Sequence, residues 1–255
     1  MLGRVEFSIV KHLDKTTDME LINFIYDWVI DQNITLECLE YEDAAAKILL
    51  DAIKDDYLDA VMFFIENKLV EPTVAHNSPL IDSSIYGHLN IIKYLLKYEP
   101  TEEILNKAFC HAATEGHFEI VQYFLENTKA NPTTLENVSI NMALGKGHAD
   151  VVLLLASHPK VITTFAKYNQ DGVFKEISKK VEDLITTVKS ALENSRSRTC
   201  LFFHASTNQN NLLNELLKEL NLSNKQLKNI LSIKDRLLSL GDERAAAEEN
   251  TNQLK

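Results

Sequence analysis

Three histidines each follow a glycine, at Gly87-His88, Gly116-His117 and Gly147-His148. Imidazole is a common zinc ligand, so the first question is whether the three could share an ion. One histidine per structural layer would set neighbouring rings roughly 10 Å apart, the spacing of packed helices. Zinc holds its ligands at ~2.0–2.1 Å, so a single ion cannot gather them. The spacing points instead to side chains that satisfy backbone groups beside a turn. Cys200 and His204 are four residues apart and could share a helix face as a thiolate–imidazole pair. That chemistry also needs an orienting group and oxyanion donors, and no glycine-bearing loop lies near to supply them. Phe202 and Phe203 place the cysteine in apolar company, which favours a buried structural thiol.

The acidic groups Asp55-Asp56 with Asp59, and Glu40 with Glu42-Asp43, lack the D-x-D-x-D-G spacing of a calcium loop and read as solvated helix faces. Lys179-Lys180 and Arg196-Ser197-Arg198 are too short to track a phosphate backbone. No phosphate-binding glycine loop, nucleophile elbow or H-E-x-x-H pair is present. The sequence therefore assigns no catalytic, cofactor-binding or metal residue, and the chain is expected not to be an enzyme.

The elements around the glycines carry a stronger signal. Gly87-His88-Leu89-Asn90-Ile91-Ile92-Lys93-Tyr94-Leu95-Leu96 aligns without gaps with Gly116-His117-Phe118-Glu119-Ile120-Val121-Gln122-Tyr123-Phe124-Leu125. Gly147-His148-Ala149-Asp150-Val151-Val152-Leu153-Leu154-Leu155-Ala156 is a third copy. The glycines recur at about 29 and 31 residues, close to a ~33-residue helical repeat. Paired apolar residues four apart (Ile91-Ile92 and Leu95-Leu96) make one helical stripe. The glycine before each stripe supplies a left-handed turn between two helices.

With Ser78-Pro79-Leu80 ahead of Gly87 and Ala112-Ala113 ahead of Gly116, the pattern resembles the ankyrin-repeat family, T-P-L-H-x-A-A-x-x-G-H-x-x-I/V-V-x-x-L-L. The likeness covers about 100 residues strongly and about 200 loosely. The chain departs from the family where Ile81, Cys110 and Asn141 replace the motif histidine. Glu99-Pro100-Thr101 and Asn131-Pro132-Thr133 likewise replace the hairpin glycine. The resemblance implies an all-α fold, an ankyrin-type helical repeat solenoid with a divergent helical C-terminal extension. It also implies a protein partner held on a concave face. Carried over by position, the partner-binding residues are Asn77, Ile85 and Tyr86; Asn106, Thr114 and Glu115; and Asn137, Gly145 and Lys146. Tyr86 leads them, because an exposed aromatic anchors area at low entropic cost. Trp28, Tyr94, Tyr123 and Phe124 are expected in the core.

Weaker copies flank these. Asp56-Tyr57-Leu58 then Val61 and Phe64-Ile65 fits one period upstream, with aspartate tolerating the glycine's left-handed position. Leu21-Ile22 then Ile25-Tyr26 would form an N-terminal cap or degenerate repeat. Asn208 with Leu212-Leu213 and Leu216-Leu217 fits about two periods downstream of Gly147. Val173, Ile177, Val181, Leu184, Val188 and Leu192 form one long stripe, and a last helix from Asn224 is capped by Ser223 and stopped at Gly241. The expected organisation is thus 1–45 cap, 46–160 repeat array, 161–241 helical extension and 242–255 tail.

A net charge of −11 disfavours nucleic acid. The three cysteines, Cys38, Cys110 and Cys200, form no CxxC pair, which fits a reducing compartment. No apolar leader or membrane-length segment is visible, so a cytoplasmic monomer without membrane association is expected. Asn, Lys and Ile richness suits an AT-rich genome, and intracellular bacteria use ankyrin proteins as host-directed effectors; delivery into a host cell enters by that analogy alone. Two alternatives stay open: ankyrin repeats targeting a small catalytic or regulatory domain within 161–241, and self-assembly through an uncapped end.

Overall fold

The computed structural model describes residues 18–31, 42–72, 79–168, 179–190, 223–233 and 236–237. All regular structure among them is helical. The chain divides into two compact units, Met1–Ala108 and Phe109–Lys255, a division that falls inside the expected 46–160 array.

In the first unit lie α1 (Met19–Asp31), α2 (Glu42–Lys54), α3 (Leu58–Glu66), α4 (Pro79–Tyr86) and α5 (Leu89–Leu95), which runs into a 3-10 turn at Leu96–Tyr98. Helix α6 (Glu102–Thr114) crosses into the second unit. There follow α7 (Phe118–Asn127), α8 (Thr134–Gly145), α9 (Ala149–Ala156) and α10 (Pro159–Tyr168), then α11 (179–190) and α12 (Asn224–Ser232).

Each apolar stripe turns inward. Ile91, Ile92, Tyr94 and Leu95 of α5 are buried, as are Phe118, Ile120, Val121 and Phe124 of α7 and all of Asp150 to Ala156 in α9. Packing follows the repeat. In the first unit α2 lies against both α3 and α4, α4 against α5, and α3 against α5. First helices thus meet first helices, and second helices meet second helices. In the second unit α8 pairs with α9, and α9 meets α7, α10 and α12. Small residues permit the close approach: Ala52, Ala112, Ala113 and Ala143 are wholly buried, and Ser83 and Ser84 return their hydroxyls to the Leu80 carbonyl at 3.1 and 2.7 Å.

The turns share one geometry. At each, a backbone N–H reaches the carbonyl five residues back: Tyr57 to Ala52 at 2.8 Å, then His88 to Ser83, His117 to Ala112 and His148 to Ala143, each at 2.9 Å. This six-to-one closure caps a helix when the residue before the donor is left-handed. Gly87, Gly116 and Gly147 have φ of 89°, 77° and 77°, and Asp56 has 57°. Aspartate occupies the glycine position as its sequence register predicts. The donor residue then starts the next helix, with φ between −95° and −80° at all four turns.

At the N-terminal side, Leu21, Ile25 and Trp28 form the buried face of α1. Tyr26, expected in that stripe, is exposed instead, because the buried face runs through positions i, i+4 and i+7 from Leu21 and Tyr26 falls off it. Trp28 Nε1 donates to Asp51 Oδ2 at 2.6 Å, and Phe24 meets Tyr57 edge-on at 5.2 Å. In the extension, Val181, Ile185 and Val188 of α11 are buried. Val173, Ile177, Leu192, the Asn208 copy, Gly241 and the 242–255 tail lie outside the described residues. Ser223 caps α12 as expected. Its hydroxyl accepts from the Gln226 N–H at 3.2 Å, and the Gln226 side chain accepts from the Ser223 N–H at 3.0 Å, a reciprocal capping box.

Candidate functional site

Two of the recurring histidines, one in each unit, face the turn before their own. His88 Nε2 lies 3.2 Å from the Lys54 carbonyl, and its Nδ1 lies 3.3 Å from Asp56 Oδ1. The His148 ring covers Gly116 so closely that an added Cβ would come 2.6 Å from Cε1 and 2.7 Å from Cγ. These rings tie consecutive turns together, the structural role their spacing suggests. No group of three or more His, Cys, Asp or Glu side chains among the described residues could hold a metal ion.

The turns also display side chains. In the first unit Tyr86 is 46% exposed at the end of α4, and its ring stacks on His88 at 6.2 Å and 22°. Ile85 beside it is half-buried. A flat aromatic surface braced by a histidine offers contact area without losing much freedom on binding. In the second unit Glu115 and Lys146, from successive turns, pair at 2.8 Å with both side chains substantially exposed. The Lys146 hydrogen bond holds the Glu115 carboxyl below its usual range. Met142 lies one helical turn before Lys146, is exposed, and adds an apolar neighbour. Sequence reasoning missed Met142; its signal was an apolar residue on the same α8 face as a displayed lysine. His111 and Asn141 are exposed nearby along α6 and α8, and Gly145 has open space around it.

Other expected contact residues sit differently. Thr114 is buried, and its hydroxyl donates to the Cys110 carbonyl at 2.8 Å, so it braces α6 rather than facing a partner. Asn137 is only 1% exposed, with φ of 63° in the first turn of α8. That left-handed residue turns its amide inward, and neither amide atom finds a hydrogen-bond partner among the described residues. Both positions are corrected from surface to interior. Asn106 is half-buried. Asn77, Cys200 and His204 lie outside the described residues. The four expected core aromatics hold except at Tyr123, which is half-buried.

No family model matches the chain, an enzyme family's included, and no solved structure matches it. One curated protein is similar over part of the chain. Alpha-latrotoxin-Lh1a of Latrodectus hasselti is 32% identical over 107 residues, which is 40% of this chain and 8% of that toxin. The chain matches a small fraction of that protein's length. No described helix is long and apolar enough to cross a membrane.

Proposed function

We propose that the chain is an ankyrin-type repeat module that recognises a protein partner through side chains displayed at its inter-helix turns. The observation that carries this reading is the fourfold recurrence of one turn geometry, at Asp56, Gly87, Gly116 and Gly147, with second helices packed on second helices within each unit. Stacked pairs of this kind repeat a surface at fixed intervals, and the residues beside each turn are free to vary without disturbing the core. Tyr86 in the first unit, and Glu115, Met142 and Lys146 in the second, are the side chains so displayed. Partial similarity to a toxin's sequence fits a module used within larger proteins. A cytoplasmic working place, and a role as a host-directed effector, belong to the same proposal.

The test is affinity capture with the full chain beside a Tyr86→Ala, Glu115→Ala, Lys146→Ala variant, with far-UV circular dichroism showing equal helix content. A protein retained by the first and lost by the second, and then rebound as a purified partner, is the expected result. Equal retention by both would move recognition away from the turns. No retained protein at all would remove the binding-module reading.

A further inference from the structure

Six large apolar side chains are strongly exposed among the described residues, and three of them, Met19, Tyr26 and Ile30, lie on α1. They are 62%, 43% and 70% exposed. Their spacing of seven then four residues confines them to one narrow strip of the helix at about 100° per residue. Glu20, Asp27 and Asp31 repeat that spacing one residue later, so an exposed acidic row runs alongside the apolar strip. No Lys, Arg or His occurs between Asp18 and Asp31. The opposite face is fixed by Leu21, Ile25 and Trp28, by the Trp28–Asp51 hydrogen bond and by the Phe24–Tyr57 contact. A helix held on one side thus carries, on the other, an apolar strip that no described residue covers.

We propose that this outer face of α1 is a second docking surface, separate from the turn surface, and that its occupant is a basic amphipathic helical segment of a partner protein. A helix rather than a strand fits, because α1 spends its backbone groups internally and leaves no edge to pair. Apolar residues at i, i+4 and i+7 of the partner would cover Met19, Tyr26 and Ile30. Lys or Arg next to them would meet Glu20, Asp27 and Asp31, as flanking charges do between paired helices. A second copy fits poorly: antiparallel pairing across the strip would set the acidic row against itself, in a chain of net charge −11. Anionic lipid is repelled for the same reason.

The probe is a fluorescently labelled Lys/Leu peptide of about four helical turns with heptad-spaced leucines. Its controls are a Glu/Leu peptide of the same pattern and a Lys/Leu peptide of scrambled order. Binding to the full chain is followed by anisotropy and by emission of Trp28, the only tryptophan, which sits on the buried face of the same helix. The patterned basic peptide should bind at least about tenfold more tightly than either control, a difference of ~1.4 kcal/mol. Met19→Gln/Tyr26→Gln/Ile30→Gln should lose that preference, and Tyr86→Ala should keep it. Glu20→Lys/Asp27→Lys/Asp31→Lys should transfer it to the Glu/Leu peptide, which also shows that the surface survives substitution. Equal binding of patterned and scrambled basic peptides would reduce the effect to general acidity and overturn the proposal. So would a concentration-dependent dimer of the free chain that the glutamine variant abolishes, since the strip would then be covered by a second copy.

Discussion

Gly116 and Gly147 share a φ of 77°, but only Gly116 has a ring against it, so alanine at the two positions separates backbone strain from contact. A left-handed alanine costs roughly 1–2 kcal/mol. The stiffer unfolded chain returns about 0.4–1 kcal/mol of that. Gly147→Ala, with nothing within 4 Å of the new Cβ, should therefore cost about 1 kcal/mol. Gly116→Ala bears the same strain and also drives Cβ into the His148 ring, 2.6 Å from Cε1 and 2.7 Å from Cγ. The ring cannot clear the clash by moving its tip, because Cγ itself is too near. Overpacking of this kind costs typically ~1–3 kcal/mol, so the total should reach about 2–4 kcal/mol. Guanidinium unfolding followed by far-UV circular dichroism would measure each variant, since Trp28 reports only on the first unit. His148→Ala supplies the third corner of a double-mutant cycle. On that background Gly116→Ala should fall back to the cost of Gly147→Ala. Equal costs at the two glycines, or a coupling energy near zero, would refute the packing of His148 on the Gly116 turn.

Ser223→Ala removes one half of a capping box and should lower hydrogen-exchange protection of α12 by about tenfold, the equivalent of ~1.4 kcal/mol and within the range for lost caps. Unchanged protection would mean that α12 is held by its packing on α9 alone. Acid should weaken the fold in two stages. His158 is kept below its ordinary 6.5, first by burial and then by the charges of Arg236 and Lys160, and Glu115 is kept below its ordinary 4.5 by the Lys146 hydrogen bond. Both groups have depressed values in the fold, so their stabilisation is complete above the ordinary values and is lost as pH falls. The denaturation midpoint should begin to drop below about pH 6.5, and His158→Gln should remove that first stage. A midpoint flat from pH 7.5 to 5 would contradict the burial of a neutral imidazole.

The turns were legible in the sequence because they depend on one residue each. A left-handed backbone selects Gly or Asp, and the chain writes Gly87, Gly116, Gly147 and Asp56 at those points. Helix stripes were legible where apolar residues occupy one side only, as in α5 and α7. They were not in α1, where the strip of Met19, Tyr26 and Ile30 lies opposite Leu21, Ile25 and Trp28, so the pattern offers two apolar faces and only the packing decides which is covered. The displayed residues were half legible. Tyr86 and the Glu115–Lys146 pair are reached by counting back from the glycines, but Thr114 obeys the same count and is buried, because its hydroxyl folds onto the Cys110 carbonyl. Asn137 fails for a longer-range reason: a backbone reversal in the first turn of α8, which no glycine announces.

One register position shows how the second unit is finished. Three residues after each turn glycine stand Asn90, Glu119 and Asp150, and the first two are exposed while Asp150 is buried. The difference is α12. Asn229 Nδ2 donates to Asp150 Oδ2 at 2.6 Å, Gln226 Nε2 to the Gly147 carbonyl at 3.3 Å, and Arg236 to the Ser157 carbonyl at 3.3 Å. All three pairs are separated by 79 residues, so α12 runs parallel to α9 and in step with it. It covers a side that α5 and α7 leave open, and so it acts as a cover on the last Gly-His pair rather than as another copy of it. A carboxylate left buried without a partner would cost several kcal/mol, so Asp150 is tolerable there only because Asn229 arrives with it. The helix expected from Asn224 is present over Asn224–Ser232, and these polar pairs join its buried Ile230 and the adjoining Ile233 in holding it to the second unit.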